Sequence, residues 1–215
     1  MARRAILLIG AARYDDHQRN NHTCFMHQTG IDREKDRMKI FEVSREPRLL
    51  NQYYELRERC YREELELEDF DGSEEPLDRE GDILLVHQGG QCIGGARISP
   101  ALSLPFELPE LRRAGTRYCV WERFAVAPEH RSLQLIKDFN AALIECSLAL
   151  GYDRALVLSS LRNARFYRQC HSALGVEFEI RRSVPEISTG AFAGLEHYLS
   201  LSRLQPPGAP MQLAA

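Results

Sequence analysis

The stretch that decides the fold runs from Tyr118-Cys-Val-Trp-Glu-Arg-Phe-Ala-Val126 into Ala127-Pro-Glu-His-Arg131. Its first nine residues form the most apolar predicted strand, which we expect at the centre of a sheet. Pro128 and Ser132 then begin a helix in which apolar residues recur at three- and four-residue steps. Gly151 is well placed to end that helix. The stretch therefore predicts a central strand followed directly by a packed helix.

Further strands and helices lie on both sides of this unit. The other predicted strands are 38–44, 82–87, 92–99, 155–159, 176–181 and 197–201, and the other helices are 47–65 and 162–174. Gly89-Gly90 predicts a hairpin turn between the second and third strands. This order lacks the regular alternation of a doubly wound fold. It predicts an α/β protein, a three-layer α-β-α sandwich with a central mixed sheet.

Composition excludes several classes of protein. The chain has 215 residues, 44% of them hydrophobic and 27% charged, with a net charge of −3. No apolar run approaches the roughly 18–20 residues of a membrane-spanning helix. The negative balance argues against binding nucleic acid by bulk electrostatics. The six Cys form no CxxC pair and no Cys/His ligand pattern, so we expect reduced thiols in a cytoplasmic protein and no metal site.

The chain is expected to hold one domain, at 38–204. Residues 1–37 show no continuing strand or helix period, which predicts a disordered extension or translation from an upstream start codon. The connection from Pro100 to Thr116 is irregular, with a turn of helix expected at 108–112. The Pro/Ala-rich tail, 205–215, is expected to fray.

Two motifs resemble those of the GNAT acyltransferase superfamily. Val126-Ala-Pro128-Glu-His-Arg131 is similar to its Val-x-Pro-x-x-Arg segment, and Asn163-Ala-Arg-Phe166-Tyr167 is similar to a compressed form of its later Asn-x-x-Ala-x-x-Phe-Tyr motif. In that superfamily a glycine-rich turn then holds the pyrophosphate of coenzyme A. No glycine occurs in Ser132-Leu-Gln-Leu-Ile136, which predicts a weaker grip on free coenzyme A.

Within this superfamily the chain resembles the acyl-homoserine-lactone synthases, the autoinducer synthases, over roughly residues 38–204. The matching segments are Leu56-Arg57-x-x-Cys-Tyr61, Glu75-Pro-Leu-Asp78, Gly94-Gly-Ala-Arg97-Ile-Ser-Pro100 and Trp121-Glu122-Arg123-Phe124-Ala-Val126. Three departures stand out. The family's Trp after the first helix is missing, its Asp-x-x-Asp is here Glu75-x-x-Asp78, and its Glu falls on Val120 while Glu122 occupies a Ser position.

The resemblance implies transfer of a fatty acyl group from acyl carrier protein to the amine of S-adenosylmethionine, followed by lactone closure to a quorum-sensing signal. It implies no tightly bound cofactor. One alternative is a GNAT-family N-acyltransferase that uses an acyl carrier protein or coenzyme A donor on another amino acid or amine. A further alternative is a non-catalytic module that binds an acyl ligand or a partner protein.

Candidate catalytic groups follow from the chemistry of amine attack on a thioester. Glu122 on the central strand is the candidate base, or else the partner of a neighbouring Arg. Backbone N–H groups near Phe124 and Val126 would polarise the carbonyl, where this strand leaves its neighbour. The superfamily motif implies that Tyr167 protonates the leaving thiolate.

Candidate binding residues are charged or aromatic. Residues 63–82 hold eleven Asp and Glu against one Arg, either a solvated acidic loop or a partner for a cationic substrate. The proposed substrate-binding residues are Glu75, Asp78, Arg57, Arg97, Arg123, Phe124 and Val126, where the Arg side chains bind a substrate carboxylate or pair with the acidic loop. The proposed acyl pocket is Phe106, Trp121 and Phe166, although each could be plain core. Arg162, Arg165 and Arg168 recur every three residues and predict either a docking stripe for acidic acyl carrier protein or a solvated face.

Overall fold

The computed structural model describes residues 38–101, 115–184 and 190–204. Within these ranges seven strands form one sheet in the order β1-β2-β3-β4-β5-β7-β6. The strands are β1 (Lys39–Val43), β2 (Asp82–Gln88), β3 (Gln91–Pro100), β4 (Tyr118–Val126), β5 (Arg154–Ser159), β6 (Phe178–Ser183) and β7 (Tyr198–Arg203). β4 and β5 are parallel, and the other neighbouring pairs are antiparallel.

Helices cover both faces of this sheet. The helices are α1 (Pro47–Glu64), α2 (Pro76–Glu80), α3 (Leu133–Ala149) and α4 (Leu161–Ala173). On one face α1 buries Leu49 and Tyr53 against sheet residues that include Leu85. On the other, Phe139 of α3 packs on Phe41, with their ring centroids 5.8 Å apart. The predicted three-layer α-β-α sandwich with a mixed sheet is confirmed.

Local capping explains where the helices start and stop. The Ser132 hydroxyl accepts a hydrogen bond from the Leu135 N–H, and Ser160 does the same for Asn163, so each stabilises the first turn of α3 or α4. Gly175 follows α4 with φ 69°, and the Val176 N–H donates to the His171 carbonyl. Val176 belongs to this turn and not to the strand, so β6 starts two residues later than predicted. No helix among the described residues is both long and apolar enough to cross a membrane.

The predicted acidic loop contains a short helix. α2 lies within 63–82, and its first turn is fixed because Asp78 accepts the Glu75 N–H at 2.8 Å. This carboxylate also accepts hydrogen bonds from two Arg side chains, described below. The segment is therefore built into the fold at its C-terminal end and is not a wholly solvated run of charge.

A bulge in β4 and the end of its pairing with β5 open the centre of the sheet. Gly95 of β3 lies opposite Ala125, but Arg97 lies opposite Glu122, so β4 carries one extra residue there. Arg123 in this bulge has φ 55°, a left-handed conformation that side chains rarely adopt. The parallel pairing of β4 with β5 extends only to Trp121 opposite Val157. Beyond this pair the two strands part.

Several predictions concern residues outside the described ranges. These are the N-terminal extension 1–37, the helical turn at 108–112, the acyl-pocket residue Phe106 and the tail 205–215. Five cysteines lie inside the described ranges, and all five are free thiols.

Candidate active site

The β4 bulge places two consecutive charged side chains on the same face of the sheet. Glu122 contacts Arg97, and Arg123 contacts Glu75, both on the face that α1 and α2 cover. Their neighbours Trp121 and Phe124 lie on the opposite face. The Trp121 ring nitrogen donates to Ser147 of α3 at 2.9 Å, and the Phe124 ring lies 5.0 Å from that of Phe139. In an unbroken strand, Glu122 and Arg123 would point to opposite faces.

Arg97 is the centre of a buried ionic network. Its side chain has no exposed surface, and it contacts Glu75 at 2.6 Å, Asp78 at 2.9 Å and Glu122 at 2.9 Å. Burial alone would lower the pKa of this guanidinium, but the surrounding carboxylates, Glu122 first among them, raise it above its ordinary value. Every nitrogen of Arg97 is committed to these partners. Arg97 therefore orients carboxylates around the site.

Arg57 and Asp78 brace this network from outside. Both side chains are fully buried, and two guanidinium nitrogens of Arg57 donate to the Asp78 carboxylate at 3.2 and 3.0 Å. Arg57 also donates to the carbonyls of Gly72 and Ser73, which anchors the chain just before α2. Direct contact with a substrate, as predicted for Arg57 and Asp78, does not fit this burial. The alternative prediction, that the Arg side chains pair with the acidic segment, describes the structure.

The charges of this network balance. Arg57, Arg97 and Arg123 face Glu75, Asp78 and Glu122, which gives three positive and three negative groups. Burial works against ionisation of Glu75, but hydrogen bonds from Arg123 and Arg97 hold its pKa below the ordinary value. Glu75 and Asp78 were predicted to pair with a cationic substrate. Both carboxylates are instead occupied by guanidinium groups.

Arg123 is the member of the network with capacity left for a ligand. Its Nε and Nη2 donate to Glu75 at 2.9–3.1 Å, while its Nη1 has no partner among the described residues. The guanidinium carbon lies 4.8 Å from the centroid of the Phe192 ring. The Tyr53 hydroxyl donates to the Arg123 carbonyl at 2.6 Å, which supports the left-handed backbone. Hydrogen bonds to Glu75 thus fix the Nε and Nη2 edge of the guanidinium, and Nη1 is available to a ligand.

A cavity of about 950 Å³ occupies the gap where β4 and β5 part. Arg97, Glu122 and Arg123 line it from the network side, and Asn163, Phe166 and Tyr167 line it from α4. Between them the wall is formed by strand residues, including Trp121, Phe124, Val126 and Val157. The cavity therefore brings together most of the predicted catalytic, substrate and acyl-pocket residues. Arg57, Glu75 and Asp78 lie outside its wall.

Groups suited to acyl transfer meet in this cavity. The Glu122 carboxylate accepts three hydrogen bonds through Oε2 alone, from Arg97 at 3.1 and 2.9 Å and from Ser99 at 3.2 Å. Its second oxygen has no partner among the described residues, and the side chain is 19% exposed. On the α4 side, burial raises the pKa of the Tyr167 hydroxyl, so it stays protonated as a donor at neutral pH.

The end of β4 supplies a backbone donor. Ala125 pairs with Gly95, and the Ala127 N–H donates to the Ile93 carbonyl, so the groups of Val126 face away from β3. The Val126 carbonyl indeed accepts Nε of Arg131 at 2.9 Å on that side. The N–H and C=O of one residue in an antiparallel strand point the same way. The Val126 N–H is therefore directed away from β3, to the side on which the cavity lies.

The sequence analysis missed several residues of the site. The side chains of Tyr53 and Ser99 support Arg123 and Glu122, Phe192 stacks on Arg123, and Glu64 pairs with Arg131 in the cavity wall. Arg131 stood in a recognised motif, but Glu64 was one of eleven acidic residues with no distinguishing signal. Arg162, Arg165 and Arg168 are exposed on α4, opposite its buried face of Ala164, Cys170 and His171.

Comparison with known proteins supplies a family and a fold. Residues 52–179 match the family model described as N-acyl amino acid synthase FeeM. No curated protein matches the chain. The AHL synthase LasI is 18% identical with a TM-score of 0.56, over 79% of this chain and 91% of its own.

Two further solved structures share the architecture. BjaI, a CoA-dependent acyl-homoserine lactone synthase with SAM and isopentyl-CoA, is 19% identical with a TM-score of 0.55, over 76% of this chain and 80% of its own. An acyl-CoA N-acyltransferase from Pseudomonas aeruginosa is 14% identical with a TM-score of 0.51, over 73% of this chain and 91% of its own. At such identities these likenesses establish the GNAT-like fold alone.

Proposed function

The chain belongs to the N-acyl amino acid synthase FeeM family, and on that premise we propose that it joins a fatty acyl group to the α-amine of a free amino acid. It is an N-acyltransferase, so the alternative of a non-catalytic binding module is not supported. The observation that carries the proposal is the cavity between β4 and β5. There Glu122, Arg123, Tyr167 and the Val126 N–H all face the same space.

Arg123 is the group that would recognise the acceptor. An amino acid presents a carboxylate next to its amine, and the Nη1 edge of Arg123 offers a charge-assisted donor for it. Glu122, one residue away and on the same face, would then lie near the amine. A guanidinium that binds the carboxylate and a base that faces the amine, on adjacent residues, are what N-acylation of an amino acid requires.

S-adenosylmethionine, with lactone closure to an acyl-homoserine lactone, is the competing acceptor. Its sulfonium would favour an unpaired carboxylate in a buried site. Glu75, Asp78 and Glu122 each already pair with guanidinium groups, and the six-residue network has no net charge. This balance favours a zwitterionic amino acid over a substrate with an additional positive charge.

The reaction can be written with its protons accounted for. Glu122 takes a proton from the acceptor ammonium, and the neutral nitrogen attacks the thioester carbonyl carbon. The Val126 N–H stabilises the oxyanion that develops. As the carbon–sulfur bond breaks, Tyr167 gives its proton to the leaving thiolate and regains one from the nitrogen through solvent. The products are an amide, a free thiol and the proton that Glu122 then releases to solvent, with no covalent enzyme intermediate.

The donor is proposed to be an acyl group on acyl carrier protein, with acyl-coenzyme A as the alternative. Exposed Arg162, Arg165 and Arg168 on α4 would attract an acidic carrier, and this helix also supplies Phe166 and Tyr167 to the cavity. Trp121 and Phe166 would contact the acyl chain. Reversing the three Arg to Glu should raise the KM for the carrier about tenfold and flatten its salt dependence. The KM for acyl-pantetheine, which has no carrier, should stay unchanged; an unaltered carrier KM contradicts this docking surface.

The catalytic assignment is tested with Glu122→Gln. The amide keeps the shape of the side chain but is a poor base, so kcat should fall by about 10²–10⁴-fold. Glu177→Gln is a matched control, because Glu177 also pairs with an Arg but on the exposed surface. It should retain wild-type kcat. A Glu122→Gln enzyme within threefold of wild type would exclude Glu122 as the base.

A further inference from the structure

An ion pair between Glu64 and Arg131 lies in the exposed part of the cavity wall. Glu64 is the last residue of α1, and Arg131 directly precedes the Ser132 cap of α3. With Leu65, Ser132 and Leu133 they form one exposed side of the wall, here called the cavity rim. The two side chains are each 38% exposed. The rim thus joins the helix on one face of the sheet to a helix on the other.

Each nitrogen of the Arg131 guanidinium has a partner. Nη1 donates to Glu64 Oε2 at 2.7 Å, Nη2 donates to Glu64 Oε1, and Nε donates to the Val126 carbonyl at 2.9 Å. The bidentate geometry is the strong form of an Arg–carboxylate pair. The guanidinium therefore presents a neutralised surface to anything that enters the cavity.

One N–H group in the first turn of α3 is also already taken. The N-terminal end of a helix attracts anions through its unpaired N–H groups. Here the Ser132 hydroxyl takes the Leu135 N–H at 3.1 Å, and Leu133 presents an exposed apolar side chain on the same turn. A polyanion at the cavity rim would meet the Glu64 carboxylate. The Arg131 guanidinium, which could otherwise attract it, is already paired with Glu64.

On the premise of the proposed function, we infer that Glu64 determines donor specificity by discriminating against coenzyme A thioesters. Coenzyme A carries a pyrophosphate and a further phosphate close to its pantetheine arm. The arm of a carrier protein carries a single phosphodiester. Because Glu64 engages and neutralises Arg131, this cation is withdrawn from the phosphates of a donor, and the loss disfavours the first donor more than the second.

The experiment compares two donors that share the acyl-pantetheine arm, of which only acyl-coenzyme A carries the phosphates and the adenosine. The ratio of kcat/KM for an acyl-coenzyme A to that for the same acyl-pantetheine is measured in wild type and in Glu64→Gln. The ratio should rise at least fivefold in Glu64→Gln, through the KM for acyl-coenzyme A. Glu64→Asp retains the charge and should keep the wild-type ratio within twofold. Glu63→Gln is the matched control, since Glu63 is exposed and lies outside the cavity wall.

The outcomes separate this inference from the proposed function. An unchanged ratio in Glu64→Gln, or an equal rise in Glu63→Gln, overturns the role of Glu64. If Glu64→Gln does not fold, Glu64→Ala must give the same rise. If the wild type turns over no thioester with any acceptor, the proposed function fails. The inference is then decided by calorimetry with coenzyme A itself: at least fivefold tighter binding to Glu64→Gln supports it, and equal binding overturns it.

Discussion

Replacing Arg57 with Met tests the view that Arg57 braces the site from outside the cavity. Arg57 is fully buried, and it donates to both oxygens of Asp78 and to the carbonyls of Gly72 and Ser73. Met fills much of the volume of the Arg stem but supplies no donor and no charge. The substitution leaves Asp78 as a buried carboxylate that has lost one of its two guanidinium partners, the one that contacts both of its oxygens.

The expected destabilisation follows from these contacts. Breaking a buried ion pair by removing one partner costs about 3–5 kcal/mol. Asp78 retains Arg97 at 2.9 Å and the Glu75 N–H at 2.8 Å, which reduces the cost. The carbonyls of Gly72 and Ser73 lose donors, which adds about 1–3 kcal/mol if they stay buried. We therefore expect a loss of about 3–5 kcal/mol in unfolding free energy, or about 6–20 °C in Tm.

The difference in stability between wild type and Arg57→Met should depend on pH in a definite direction. Burial opposes the charge on Asp78, but hydrogen bonds from Arg57 and the Glu75 N–H hold its pKa below the ordinary value. A carboxyl whose pKa is lowered by folding contributes stability above its unfolded pKa, about 3.9, and loses it as pH falls through the folded pKa. The difference between wild type and Arg57→Met should be fully present at pH 7 and shrink below about pH 4.

The assay is urea denaturation of both proteins at pH 7 and at pH 3.5. Arg79→Met is the control, because Arg79 pairs with Glu74 at 2.8 Å on the exposed surface. It should cost less than about 1 kcal/mol at either pH. The reasoning is refuted if Arg57→Met costs no more than Arg79→Met at pH 7. It is also refuted if Arg57→Met leaves stability intact and raises the KM for the acceptor, since Arg57 would then bind substrate.

Three other substitutions examine the site and the core beneath it. Tyr167→Phe should lower kcat about 10²-fold with little change in KM, and an unchanged kcat would remove Tyr167 as the acid. Gly95→Ala would place a Cβ 2.4 Å from the Tyr53 ring, so chemical denaturation should give a loss of about 1–3 kcal/mol; wild-type stability would contradict that packing. Burial lowers the pKa of His171 to about 4, so unfolding free energy should fall by up to about 1.4 kcal/mol per pH unit between pH 6.5 and 4. His171→Leu should remove the contribution of one proton to this dependence of unfolding free energy on pH. An unaltered dependence would mean that other groups cause it.

The sequence predicted the layers of the fold because its strong periodic segments coincide with buried elements. β4 matched its predicted range, Tyr118–Val126, and the helix after it began at the predicted Ser132 cap. The short helix α2 was missed since Asp71-Gly72-Ser73 and the density of acidic residues argue against any helix there. Besides the local hydrogen bond from the Glu75 N–H, Asp78 accepts tertiary hydrogen bonds from Arg57 and Arg97, which local propensity cannot reveal.

The candidate site was predictable in its residue types but not in their arrangement. Arg57, Arg97 and Arg123 all occur on predicted helices or strands and not in loops, and nothing local distinguishes the two fully buried ones from Arg123. The position of Arg123 at the cavity depends on the bulge in β4. A hydrogen bond from Tyr53, seventy residues away in the chain, stabilises this bulge. Sequence spacing alone would direct Glu122 and Arg123 to opposite faces. The three-dimensional pairing of β3 and β4 places them together.

The most direct measurement of the central claim is thiol release from a set of acyl–acyl carrier proteins, with free amino acids or with S-adenosylmethionine as acceptor. Mass spectrometry of the organic extract then identifies the product. The account predicts release that depends on an amino acid and an N-acyl amino acid that keeps its carboxylate. Release that depends on S-adenosylmethionine, with an acyl-homoserine lactone as product, would contradict it.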